Sequence, residues 1–192
     1  MRILKRHIII LFALALILSA CGQKGIKDGV KWPIEDFNVT DHNGEPFGLK
    51  DLEGKVWMAN FIFANCPDIC PPMTYNMGKL QKMAKEEGIE NIEFVSFTVD
   101  PEKDTPEALK AYGEQFQLDF SNYHFLTGYS QEFIEEFALE NFKALVKKDS
   151  EDYVIHQSYF YLVDKDGTTR KYYSGLNDVP YEEIIHDMKA LQ

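Results

Sequence analysis

The sequence predicts an α/β fold, and three observations carry that prediction. Segments of strand and helix character alternate through the middle of the chain, a pattern that lays helices against a sheet. One of them, Val56 to Phe63, is apolar on both faces, as a strand in the centre of such a sheet must be. A hairpin and a last amphipathic helix close the chain, which makes the sheet mixed rather than all-parallel. The expected architecture is a central mixed β-sheet flanked by helices on both faces.

Each element has a local cause. Phe37 to Thr40 and Pro46-Phe47 flank Asp41-His42-Asn43-Gly44, an N-terminal hairpin around an Asn-Gly turn. After the buried strand, Met73 to Glu87 carries Met73, Met77, Leu80 and Ala84 at helical spacing. Ile92 to Val99 is the next strand. Thr105 then caps a helix whose first residue is Pro106, where no backbone N–H is needed. Tyr123 to Leu126 is a short strand. Ser130 opens a helix through Ala138, with Phe133, Ile134 and Phe137 as its apolar stripe. Ala144 to Gln157 reads as an inserted short hairpin, two strands around a charged loop from Lys147 to Asp152. Tyr159 to Val163 and Thr168 to Ser174 pair across Asp164-Lys165-Asp166-Gly167, and Tyr181 to Leu191 is the closing helix.

Composition bounds the function. The chain has 192 residues, 45% of them hydrophobic, with 14 Phe and 10 Tyr, which excludes general disorder. A net charge of −11 argues against nucleic acid as a partner, since phosphates demand Lys and Arg. Arg2, Lys5 and Arg6 precede an apolar run of 11 residues, Ile8 to Leu18, followed by Leu18-Ser19-Ala20-Cys21. That is the layout of an export signal, too short for a membrane-spanning helix. The last four residues resemble a bacterial lipobox, which implies cleavage before Cys21 and attachment of lipid, palmitate included, to its sulfur. A plain signal peptide and an uncleaved anchor are the alternatives. The expected division is a signal peptide over 1–20, a flexible tether over 21–31 containing Gly22, Gly25 and Gly29, and a folded domain over 32–192. Cleavage would remove three positive charges, taking the net charge from −11 to −14. The expected location is the extracytoplasmic face of the cell membrane.

Three cysteines are too few for a disulfide scaffold. With Cys21 assigned to lipid, Cys66 and Cys70 remain as a pair in Cys66-Pro67-Asp68-Ile69-Cys70-Pro71-Pro72. They lie between the buried strand and its helix, at the end of the sheet where α/β proteins place their chemistry. A helix N-terminus favours thiolate, and four-residue spacing would put both sulfurs on one face of a helical turn. The pair can form a disulfide or share a soft metal, and two inert structural thiols are the plain alternative. A structural zinc site wants four ligands, and no second Cys pair exists. Among other donors, His186 reads as solvent-facing and His42 as an exposed turn residue. His124 reads as a structural histidine, and Met73 and Met77 as core. His156 precedes a strand of the central sheet, so its loop could face the cysteines. Two thiolates and one imidazole suit Cu(I), and the imidazole also accommodates Cu(II).

Three blocks resemble the Sco/SenC family: Phe61-Ile62-Phe63-Ala64-Asn65-Cys66-Pro67-Asp68-Ile69-Cys70-Pro71, then Val99-Asp100-Pro101-Glu102-Lys103-Asp104-Thr105-Pro106, then Tyr153-Val154-Ile155-His156 with Tyr161-Leu162-Val163-Asp164. The resemblance runs from about Phe37 to the C-terminus. It implies a thioredoxin-like fold and a role in assembling the CuA centre of cytochrome c oxidase. It also implies copper held by Cys66, Cys70 and His156. Asp100 matches a family position near that site, with a turn or cap before Pro101 as its other reading. The implied partners are the oxidase subunit carrying CuA, a thioredoxin-like reductant and, through the lipid, the membrane. The chain departs from the family at Ala64-Asn65, and from ordinary thioredoxins in having CxxxC and Ser158.

Two functions follow and stay open. A copper metallochaperone would hold the metal and pass it on by ligand exchange. A thiol–disulfide oxidoreductase, or a redox sensor, would use Cys66 and Cys70 as its redox-active pair to reduce the CuA cysteines without carrying copper. A peroxiredoxin-like peroxidase fits poorly, since Phe63 stands where that class has Thr or Ser.

Overall fold

A computed structural model of the protein describes residues 26–150 and 153–192. The expected signal peptide, Cys21 and most of the tether lie outside the described residues. The strands are β1 (Trp32–Pro33), β2 (Asn38–Asp41), β3 (Pro46–Gly48), β4 (Val56–Ile62), β5 (Ile92–Thr98), β6 (Tyr123–Thr127), β7 (Val146–Ser150), β8 (Tyr153–His156), β9 (Tyr159–Val163) and β10 (Thr168–Ser174). The helices are α1 (Cys70–Glu86), α2 (Pro106–Gln115), α3 (Gln131–Phe142) and α4 (Tyr181–Ala190).

Eight strands form one sheet in the order β1-β10-β9-β4-β5-β6-β2-β3, and β7 with β8 stands apart as a two-stranded ribbon. The β4–β5 and β5–β6 pairs are parallel, and the β4–β9 pair is antiparallel, so the sheet is mixed. Every residue of β4 and of β5 is buried, as strands covered on both faces require.

Alternation along β4 sorts its residues to two faces. On one face Phe61 and Phe97 lie side by side and meet α3, with Phe61 and Phe142 ring centroids 5.4 Å apart and Phe97 and Phe137 5.4 Å. On the other, the Ser96 hydroxyl donates to Asn60 at 2.6 Å and meets the Tyr123 hydroxyl at 2.8 Å. There α1 and α2 cover the sheet, joined by the Thr74 and Tyr112 hydroxyls 2.9 Å apart. On α4, the Tyr181 hydroxyl donates to Asn76 of α1 at 2.7 Å. Helices therefore flank both faces, as the sequence predicts.

Three boundaries differ from expectation. Helix α1 begins at Cys70, not Met73, because Pro71 and Pro72 occupy first-turn positions whose N–H groups have no partner in a helix. Helix α3 continues to Phe142, since Asn141 and Phe142 are buried, and Lys143 ends it in a left-handed conformation at φ 56°. Lys147 to Ser150 is strand rather than loop: Val146 is buried and the charged residues after it are carried on the outward and edge positions of a paired ribbon.

His42 is also corrected. It is 2% exposed, and its Nδ1 accepts the backbone N–H of Phe125 at 3.3 Å, beyond the point where β2 stops pairing with β6. The imidazole replaces a ladder bond that the turn would otherwise leave open.

Candidate metal centre

Strand β4 ends at Ile62 and α1 begins at Cys70, so the seven residues between form a loop at the sheet's carboxyl end. The Cys66 N–H donates to the Phe63 carbonyl at 3.2 Å, which turns the chain back toward the helix. The backbone N–H of Cys70 then points at the Cys66 sulfur, 3.5 Å away. The two cysteines thus do not share a helical face. Cys66 lies in the loop and Cys70 is the first residue of the helix, and the orphan N–H groups of the helix start draw the two together. Both are free thiols and buried, Cys66 at 7% exposure and Cys70 at 0%.

From across the sheet, β8 delivers His156. Its Nε2 lies 3.4 Å from the Cys70 sulfur, and its Nδ1 lies 3.2 Å from the Gln157 carbonyl oxygen. A carbonyl only accepts, so Nδ1 carries the hydrogen and Nε2 offers its lone pair to the sulfurs. This is the tautomer a metal-ligating histidine needs. The Phe63 ring stands edge-on to the imidazole, 6.0 Å between centroids, and limits how far the histidine can swing.

The two thiols differ in acidity. The Cys70 thiol donating to the Cys66 sulfur holds Cys66 well below the ordinary thiol range, and His156 adds to this against the opposing effect of burial. Burial pushes Cys70 up, and the neighbouring Cys66 sulfur pushes it further. The spacing argument favours thiolate at the helix N-terminus. Here that residue, Cys70, is too deeply buried to ionise easily, and the loop cysteine takes the thiolate role.

Asp100, expected near the site, accepts a hydrogen bond from Lys148 Nζ at 3.0 Å and so ties its loop to β7. The carboxylate that touches the cysteine loop is Asp104, which is 1% exposed. Its Oδ2 accepts from the Ala64 N–H at 3.0 Å and from the Thr98 hydroxyl at 2.5 Å, while Oδ1 is buried without a partner. Burial raises its pKa, with the Thr98 and Ala64 hydrogen bonds opposing. Sequence reasoning passes over Asp104, because Asp100 and Asp104 sit four residues apart in one polar run and spacing does not say which one turns inward.

The other histidines stay apart from this centre. His186 is an exposed side chain on α4, and His124 is held by Glu93 at 3.0 Å. Asp41, His42 and His124 bring ligand-type atoms within 4.8 Å of one another. However, His42 Nδ1 is committed as an acceptor, so its Nε2 must keep the hydrogen and cannot ligate. Met73 and Met77 are fully buried core residues.

Two thiols and an imidazole lone pair, converging at the mouth of a thioredoxin-like sheet, define a class: an α/β protein with a soft donor set in place of the usual dithiol exchanger. The pattern of the SCO1/SenC family matches residues 30–192, and the chain belongs to that family. It is similar to a solved SCO1/SenC family lipoprotein of Bacillus anthracis, with 52% identity and TM-score 0.85, covering 87% of this chain and 99% of that one. It is similar to BsSco, described as a member of the Sco family of cytochrome c oxidase assembly proteins with a disulfide switch, at 50% identity and TM-score 0.81 over 86% and 96% of the two chains. Bradyrhizobium japonicum ScoI, solved with copper bound, is 25% identical with TM-score 0.69 over 83% and 99%. The thioredoxin-like fold is that of these relatives. Among the described residues no helix is long and apolar enough to cross a membrane.

Proposed function

We propose that the protein receives copper between Cys66, Cys70 and His156 and delivers it to the CuA centre of cytochrome c oxidase. One observation carries the reading: His156 Nε2, its lone pair free of a proton, lies 3.4 Å from the Cys70 sulfur. The donor chemistry fits copper, since two sulfurs and one imidazole are soft to borderline and too few for structural zinc. Cys66 is ready to bind as thiolate. Cys70 must lose its proton on binding, so loading releases acid and weakens as pH falls. A site with few ligands at the protein's edge leaves room for an incoming thiolate, and transfer proceeds by exchange of one sulfur for another.

Anaerobic titration of the reduced protein with Cu(I), for wild type and His156→Ala, tests this. The expected result is one copper per wild-type chain and an affinity at least tenfold lower in the variant. Equal affinities would remove His156 from the ligand set.

A second reading rests on the low acidity constant of Cys66. Its thiolate could attack a disulfide in the oxidase subunit, with Cys70 resolving the mixed disulfide, which leaves the acceptor reduced and this chain oxidised. Copper-free exchange with an oxidised CuA domain distinguishes the two roles. The tether completes the proposal: lipid on Cys21 would hold the domain at the extracytoplasmic membrane surface, as the description of the Bacillus anthracis relative as a lipoprotein suggests. Cys21→Ser should abolish incorporation of labelled palmitate and release the protein from the membrane fraction.

A further inference from the structure

The ribbon that carries His156 has an outer face that water alone does not explain. In β8 the burial alternates: Val154 is 3% exposed, while Tyr153 is 59% and Ile155 41% exposed. Leu145, leading into β7, is 52% exposed. Among the described residues, half of the strongly exposed large apolar side chains sit on this one ribbon and its entry. Cross-strand pairing sets Ile155 against Lys147 and Tyr153 against Ser150 on the outer side, with Val146 and Val154 turned inward. A ribbon of this kind needs only its inner face to be apolar in order to pack.

We infer that this outer face is a docking surface for the protein that takes the copper, and that the partner's matching face has an apolar centre and a Lys/Arg rim. The inference rests on the delivery reading above. Ile155 adjoins His156 in the same strand, so a protein that reaches the metal ligands must lie against the ribbon. The charge around it is negative. Lys147 is matched by Glu135 at 2.7 Å, and Lys148 by Asp100 at 3.0 Å and Glu102 at 2.6 Å. Asp68 on the cysteine loop and Asp149 on β7 are exposed. An apolar centre inside an acidic rim selects its complement: the apolar part holds the complex, and the rim steers encounter and rejects acidic surfaces.

The test uses a soluble CuA domain as probe and the double variant Tyr153→Thr/Ile155→Thr, which keeps β-forming residues in the strand. Binding of the copper-free probe is measured by calorimetry, and transfer from the copper-loaded protein by the rise of the probe's copper spectrum. The expected outcome is wild-type copper stoichiometry and affinity, with probe binding and transfer rate each reduced at least tenfold. Raising salt from 50 to 500 mM should also slow wild-type transfer, because it screens the rim. Wild-type binding of the probe by the variant would overturn the inference, as would a transfer rate that increases with salt. Loss of copper affinity in the variant would also overturn it, since the face would then act on the site rather than on a partner. A wild-type protein that binds the probe through this face yet transfers no copper would sink the delivery reading and leave the docking surface standing.

Discussion

Removing the Asp104 carboxylate should loosen the cysteine loop at its root. In Asp104→Ala the Ala64 N–H and the Thr98 hydroxyl lose the oxygen they share at 3.0 and 2.5 Å. The Thr98 oxygen already accepts from the Asp100 N–H at 3.1 Å, which restricts how the hydroxyl can turn to find another partner. Each buried donor left unpaired costs about 1–3 kcal/mol. Loss of a carboxylate whose Oδ1 is itself unpartnered offsets part of this. The net expectation is a destabilisation of about 2–4 kcal/mol in urea unfolding of the reduced protein, with weaker copper binding because Ala64 lies two residues before Cys66. Asp104→Asn keeps an acceptor oxygen and should lie within about 1 kcal/mol of wild type at pH 7. The pH dependence supplies a second check. Burial raises the Asp104 pKa above the ordinary value of 3.8, so between that value and the folded one the native state holds more protons than the unfolded chain. Wild-type stability therefore falls as pH rises through that window, and Asp104→Asn should remove this part of the slope. An alanine variant within about 0.5 kcal/mol of wild type, the range of an ordinary surface change, would refute the anchoring role. So would an asparagine variant as damaged as the alanine one.

Other consequences can be checked independently. Cys66 should be alkylated by iodoacetamide at pH 6 while Cys70 is spared. A labelling rate that climbs only through pH 8–9 would contradict the low acidity constant assigned to Cys66. His42→Ala should cost about 2–3 kcal/mol, from the unpaired Phe125 N–H and the space left behind, measurable by urea melts. Burial lowers the His42 pKa below 6.5, so the native state binds fewer protons than the unfolded one. Its contribution to stability is then lost as pH falls below about 6.5 toward the folded value, and the variant should lack that slope. Phe61→Ala should cost about 3–5 kcal/mol, because Phe61 is fully buried where β4, β5 and α3 meet, and a midpoint near wild type would show that α3 collapses onto the gap.

By itself the sequence determined the elements and the ligand types. Val56 to Ile62 could only be a central strand, because its apolar residues leave no face for water. Thr105-Pro106 and Ser130 marked helix starts that the folded chain keeps, since capping is a local matter of one side-chain oxygen and a few N–H groups. Cys66, Cys70 and His156 were legible through the three family blocks. Tertiary structure decided how those groups behave. His42 and Asp104 lie in segments whose composition reads as exposed turn and polar loop, and both are buried because strands distant in sequence close over them. The reversal of acidity between Cys66 and Cys70 has the same origin: helix position is a local property, whereas desolvation depends on everything packed around a sulfur. The placement of His156 Nε2 beside Cys70 joins residues 86 positions apart. No local pattern encodes that distance; the β4–β9 pairing and the ribbon that precedes it do.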